Sequence, residues 1–254
     1  MLEQFLVTEL FAFLLVFSRL GSSMMLLPGI GEVYVSARAR LMLALMISLL
    51  VTPIAQPLMP DIPNSPFGLA VLLAAEITIG VFIGLLSRIL ISALHTAGMI
   101  IAFQSGLAAA MMFDINAGTQ GSPFGNLLTL GAVMLIFTLN LHHLMLMGVA
   151  DSYTLFAPGN FPPVGDFAQM AAQIISSVFL IALAFSSPHI IVGLLVYLSA
   201  GIMSRLMPAM QVFFVIMPAQ ILASVLILTV TVSSGMLMYM AFFENMLSGF
   251  LTPQ

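Results

Sequence analysis

Seven apolar runs, near residues 5–27, 41–59, 67–86, 89–113, 127–150, 167–199 and 212–243, take up most of this chain. Each is about 18 residues or longer, enough to cross a bilayer as a helix. Inside hydrocarbon the backbone has no water to bond, so each run has to satisfy its own N–H and C=O groups. The pattern predicts an all-α integral membrane protein. Composition agrees: 61% of residues are hydrophobic and 6% charged, with a mean hydropathy of +1.20. A soluble chain is roughly half apolar and a quarter charged.

The few charges exclude whole classes of partner. All five basic residues are arginines (Arg19, Arg38, Arg40, Arg88 and Arg205), which leaves no polybasic patch for nucleic acid or anionic lipid. The net charge of −4 is dispersed and names no partner. Cysteine is absent, which removes disulfides, thiolate metal sites and cysteine nucleophiles. Glu3 and Glu9 stand where a secretory signal would carry Lys or Arg, so the first apolar run is expected to remain in the mature protein.

Proline and glycine punctuate the runs. Breaks are expected at Pro28-Gly29-Ile30-Gly31, from Pro53 through Pro66, from Gly118 through Gly125, from Pro158 through Gly165, and around Pro208. No low-complexity linker interrupts them, so residues 1–254 read as one domain. Short cytoplasmic loops are enriched in Lys and Arg. Arg38 and Arg40 therefore put the first loop inside, with the N-terminus and the Asp61 loop outside. Arg205 puts the 199–211 loop inside, with the Asp151–Asp166 connection and the C-terminus outside. These assignments conflict if 67–86 and 89–113 both cross. Parity returns only if 67–113 is one crossing, yet a helix of that length is about 70 Å, twice the bilayer core. The runs 167–199 and 212–243 also overshoot, at about 50 Å each. Pro188 and Pro218 are expected to kink them, and a long hairpin inside a larger assembly accounts for the excess better than tilt.

The segment Gly98–Gly125, GMIIAFQSGLAAAMMFDINAGTQGSPFG, is out of place between such runs. Small residues recur every fourth position (Gly98, Ala102, Gly106, Ala110), Met111-Met112-Phe113 follow, and Asp114 opens a polar, glycine-rich loop. Irregular backbone at membrane depth has to be enclosed by protein or line a water-filled cavity. Gly98/Ala102/Gly106/Ala110 and Gly80-x-x-x-Gly84 let helix backbones approach closely, within one chain or between subunits. With 21 methionines, scattered Met reads as hydrophobic filler. Beside the enclosed loop, Met111-Met112-Phe113 reads instead as a deformable constriction, because Met is flexible and polarizable.

Glu76 and Arg88 lie inside apolar runs, where an unpaired charge costs at least about 2.5–3.5 kcal/mol. Twelve residues apart on a helix they point about 120° away from one another, so each needs a different partner. The preferred reading is an assembly contact or a snorkelling arginine; the sharper one is an ion or proton pathway. Adjacent His142 and His143 point about 100° apart and do not ligate one metal from a regular helix. The chain has no H-E-x-x-H and no intramembrane-protease motif, the nearest approach being Pro163-Val164-Gly165-Asp166. No enzyme activity, metal or cofactor is expected.

Four blocks, in order, are similar to one known family. Phe17-Ser18-Arg19, Pro28-Gly29-Ile30-Gly31 and Ala37-Arg38-Ala39-Arg40-Leu41 with Ala44 form the first. Ala97-Gly98, Gln104-Ser105-Gly106-Leu107, Ala110 and Asp114 form the second. Phe137 with Asn140-Leu141-His142-His143-Leu144 is the third, and Arg205-Leu206-Met207-Pro208 with Gln211-Val212-Phe213 and Pro218 the fourth. Together they resemble FliR, the R-subunit family of the flagellar type III protein-export gate, which also occurs in virulence injectisomes. Ile115, Leu141 and Ala209 depart from the usual Pro, Gly and Gln.

The resemblance implies a P-like portion over 1–166 and a Q-like helical hairpin over 167–254. It implies assembly with FliP and FliQ copies into a closed conical helical gate in the bacterial inner membrane, at the flagellar basal body. The segment matching about 104–125 would plug the pore, with Met111, Met112, Phe113 and Asp114 at the constriction and Gly98, Ala102, Gln104, Gly106 and Ala110 packing the plug helix. The turn at Arg205 and Pro208 would face the cytoplasm, near FlhB and FlhA. Exported unfolded flagellar proteins and membrane lipid would be the remaining partners, with no nucleic acid. Two alternatives stand beside it: a secondary transporter or ion channel using Glu76 and Arg88, although no internal repeat pairs the halves, and a scaffold that never touches cargo. The injectisome counterpart is the near variant.

Overall fold

A computed structural model describes residues 2–107, 122–160, 164–207 and 212–251 of the chain. Among the described residues there are seven α-helices and no strand: α1 (Leu2–Met24), α2 (Ala37–Ala55, running into a 3-10 turn at Gln56–Leu58), α3 (Pro66–Gln104), α4 (Pro123–Thr138), α5 (Leu141–Leu155), α6 (Val164–Leu206) and α7 (Val212–Leu251). Five stretches, Val7–Met24, Ala37–Leu58, Pro66–Gln104, Val164–Leu206 and Val215–Gly249, are long and apolar enough to cross a membrane. The pair α4 and α5 makes a sixth if it is one span. The protein is an all-α, multi-pass membrane protein.

Three expected boundaries move. The runs 67–86 and 89–113 are not two elements: α3 passes through both as a single 39-residue helix and stops at Gln104. Arg88 lies inside that helix without interrupting it. Beside it, the Ser87 hydroxyl donates a hydrogen bond to the Ile83 carbonyl at 3.3 Å. Conversely, 127–150 is not one run. Asn140 adopts a left-handed conformation (φ 59°), and α4 and α5 meet there at 77°. Asparagine tolerates that region better than other non-glycine residues, so a composition that reads as continuous conceals the bend. Pro53 starts no break either: it is carried inside α2, and the loop falls later, between Met59 and Ser65.

The long helices are longer than expected. α6 has 43 residues and α7 has 40, about 65 and 60 Å at 1.5 Å per residue. Pro188 lies inside α6 and frees the Ala184 carbonyl, which accepts instead from the Ser187 hydroxyl at 2.8 Å. That local repair is one reason the helix survives its proline.

Contacts divide the chain into two compact units. One comprises residues 1–90, 137–174 and 244–254; the other comprises 91–136 and 175–243. The first has a core built on Leu15, Val16, Leu20 and Met24 of α1 with Ile79 of α3, and Phe82 and Phe167 stack there at 3.7 Å between ring centroids. Gly80 and Gly84 explain how α3 comes so near α1. A Cβ on Gly80 would collide with the Arg19 carbonyl and the Ser22 hydroxyl, and one on Gly84 would lie 2.7 Å from the Ser23 carbonyl. This small-xxx-small pair therefore packs within the chain. The second unit is centred on Ala97, Ile101, Leu128, Ala132 and Ile136, all buried, with Tyr239 on α7.

Candidate functional site

In the first unit α1 presents Arg19 to a pocket with no solvent: the side chains of Arg19 and Glu76 are 0% and 1% exposed. Arg19 Nε donates to Glu76 Oε2 at 2.6 Å and Nη2 to Oε1 at 3.1 Å, a bidentate pair. Nη1 donates to the Ser152 carbonyl at 3.0 Å and to Ser152 Oγ at 3.2 Å, and Nη2 reaches the Phe156 carbonyl at 2.9 Å. A guanidinium has five N–H donors, and all five are used. The Tyr153 ring lies 4.1 Å from the guanidinium carbon, closing the remaining face. The fixed fork of Arg suits this planar reception, which a lysine ammonium does not match. Chemically the cluster is a clamp joining α1, α3 and α5, in which Arg19 holds both oxygens of the Glu76 carboxylate.

In the second unit the chain is drawn together on either side of 108–121. On the near side α3 ends at Gln104. Ser105 N–H still bonds the Ile101 carbonyl at 2.8 Å, and Gly106 turns away with φ +73°, the left-handed step that lets glycine end a helix. On the far side Ser122 caps α4, its Oγ accepting from Gly125 N–H at 3.2 Å, ahead of Pro123 at the first helical position. The same hydroxyl donates to the Gly98 carbonyl at 2.9 Å. Gly98 and Gly125 meet backbone to backbone, and a Cβ on Gly98 would collide with Gly125. The described flank Ser122–Gly125 is thus packed on α3 at Gly98, six residues before that helix ends at Gln104.

Helices α6 and α7 complete that anchor. Gln220 Nε2 donates to the Gln104 main-chain carbonyl, and the Gln104 amide fills a notch at Gly193, where a Cβ would meet it. One turn further along, His189 Nε2 faces the Ser224 carbonyl at 3.2 Å.

The sequence-derived candidates fare unequally. Gly98, Ala102, Gln104 and Gly106 all lie in this anchor, but not as one helical ladder. The four-residue rhythm holds for Gly98 and Ala102, while Gly106 sits beyond the end of α3 in a left-handed turn. Ala110, Met111, Met112, Phe113, Asp114 and Pro208 fall outside the described residues. Glu76 and Arg88 do not pair, as their angular separation requires; Glu76 takes Arg19, and Arg88 is exposed on α3 with no ion-pair partner among the described residues. Arg205 is exposed in the last turn of α6, where its charge suits the helix C-terminus.

Sequence reasoning missed Arg19 as the partner of Glu76, and missed Gln220, Gly193 and Ser122 altogether. The signals existed. Arg19 is a cation inside an apolar run, in need of an anion; Gln220 is an amide inside another; and Ser-Pro before an apolar run marks a helix start.

Compared with known proteins, residues 10–246 match the family described as bacterial export proteins, family 1. The chain is 32% identical to the flagellar biosynthetic protein FliR of Caulobacter vibrioides, over 86% of this chain and 87% of the relative. It is likewise 32% identical to FliR of Bacillus subtilis, over 89% and 88%. To the Yop proteins translocation protein T of Yersinia pestis it is 28% identical, over 67% and 69%.

Proposed function

The chain belongs to the bacterial export proteins, family 1, and from that premise we propose that it is a core membrane subunit of the flagellar type III protein-export gate in the bacterial inner membrane. One observation carries the reading: the family match runs from residue 10 to residue 246, so nearly the whole chain belongs to one export protein. The subunit joins FliP and FliQ in the gate, with FlhB and FlhA on the cytoplasmic side, and unfolded flagellar proteins pass through the assembly. Residues 1–166 act as the P-like portion and 167–254 as the Q-like hairpin. Helices about 60 Å long, twice the hydrocarbon thickness, support a hairpin packed in an assembly over one surrounded by lipid.

Met111, Met112, Phe113 and Asp114 form the resting barrier. This reading is supported by the pinning of both flanks, Gly98 to Ser122 and Gln104 to Gln220, since a barrier needs fixed roots. Flagellar rather than injectisome membership is supported by the longer match to the two flagellar relatives, 86% and 89% of the chain against 67%. The ion-carrier alternative loses ground because Glu76 is buried and ion-paired with Arg19 within the chain.

Complementation tests the function. In a flagellated host lacking its own copy, the chain should restore swimming and the release of flagellar subunits into the medium. Restoration of effector secretion in an injectisome strain, without flagellar export, would assign it to the other branch. For the barrier, replacing Met111–Phe113 by small polar residues should raise ion leak through assembled gates; unchanged leak and export would remove those residues from that role. A crosslinking probe at Phe113 should capture a stalled export substrate, which a pure scaffold would not allow.

A further inference from the structure

Gln220 is the polar exception in its part of α7, between Ala219 and Ile221, and is only 8% exposed. A primary amide buried in apolar surroundings is costly unless its hydrogen bonds are met. Its donor goes to the main-chain carbonyl of Gln104, the final residue of α3. The last carbonyls of a helix have no partner within the helix, so this one is supplied from elsewhere in the unit. The Gln104 side chain meanwhile seats against Gly193, one turn from His189, as Gln220 is one turn from Ser224. Two polar contacts therefore follow one another along the hairpin seam, and the one bearing Gln220 holds the end of α3. A Cβ added at Gly106, just beyond, would stand 3.7 Å from Gln220 Oε1.

We propose that Gln220 is a positioning residue for export: it fixes the C-terminal end of α3 against the α6/α7 hairpin and so sets where the chain leading to residues 111–114 is rooted. The proposal rests on the reading of those residues as the resting barrier. The chemistry is a single donated hydrogen bond of fixed reach. Glutamate at this position would turn a carboxylate toward a carbonyl. Methionine would fill the space without donating.

Ion leak and export in the fully assembled gate test this. Gln220→Ala and Gln220→Met should each raise resting leak about two- to tenfold, the population shift expected from losing one neutral hydrogen bond. Gln220→Met separates bonding from packing: wild-type leak in that variant overturns the proposal. Should these variants fail to assemble, the absence of native cysteine allows a Gln104→Cys/Gln220→Cys pair to be joined by a short cleavable crosslinker. The joined gate should leak at the wild-type level and leak more on cleavage; leak that is the same before and after cleavage overturns the proposal. The Met111–Phe113 variant separates the two failures. If it leaks and the Gln220 variants do not, Gln220 has no positioning role and the barrier stands. If neither leaks, the barrier reading falls and takes this inference with it.

Discussion

Arg19 and Glu76 show how a buried charge constrains its own replacement. Removing one partner strands the other in a water-free pocket, which costs about 3–5 kcal/mol. Arg19→Met and Glu76→Leu should each lower the thermal stability of the detergent-solubilised protein by that order, while the double variant is less damaged than either single one. Arg19→Lys should also destabilise, because one ammonium does not reach the five acceptors that the guanidinium spans. The same geometry alters what Glu76→Gln reports. On sequence grounds that substitution would distinguish a carrier from a gate subunit; here it also leaves Arg19 short of a counter-charge, so any loss of function needs a stability measurement beside it. That Glu76 had to find a partner off its own helix face was legible from a 100° step per residue. That the partner was Arg19, 57 positions away, was not, because helical spacing carries no information about which helices meet.

Between elements, glycines are the positions where contact becomes a matter of tenths of an ångström. Gly80→Ala should force α3 from α1 and cost about 1–3 kcal/mol, the usual range for overpacking. Gly201→Ala, where an added Cβ meets nothing within 4 Å, should be neutral or stabilise by about 0.5–1 kcal/mol through helix propensity. Comparing the melting of the two variants checks the assignment, and equal effects would contradict the packing of α1 on α3. At the α4/α5 bend, Asn140→Gly should be tolerated, whereas Asn140→Val should cost about 1–2 kcal/mol, since a β-branched residue resists positive φ. Melting temperature reads both. The bend was hidden in the sequence because Leu139-Asn140-Leu141 lacks the Pro/Gly signature that marked the other breaks. The unity of α3 was half legible, since parity required one crossing over 67–113 while the length of such a helix argued against it.

For the whole molecule, the continuous α3 is one candidate crossing where the sequence counted two runs. If the α4/α5 pair is one span, six crossings would put Arg38, Arg40 and Arg205 inside, with Asp61, the Asp151–Asp166 connection, the start of α1 and the end of α7 outside, in keeping with positive-inside placement. The cysteine-free chain makes this testable one thiol at a time. Asn64→Cys and Asn160→Cys should react with a membrane-impermeant maleimide from outside; Val33→Cys and Met207→Cys should react only after permeabilisation. Labelling of Asn160→Cys from inside alone would make the α4/α5 pair re-entrant. The sequence by itself determined the class of fold, the family and the approximate place of most helices. Those follow from local quantities: the length of an apolar run, the backbone freedom of Pro and Gly, and the order and spacing of motif residues along one chain. Only the tertiary structure decided that Arg19 clamps Glu76, that Ser122 returns to Gly98, and that Gln220 holds the end of α3. Each of these joins residues distant in sequence through a bond that exists only once the helices have packed, and no periodicity along the chain encodes which faces will meet.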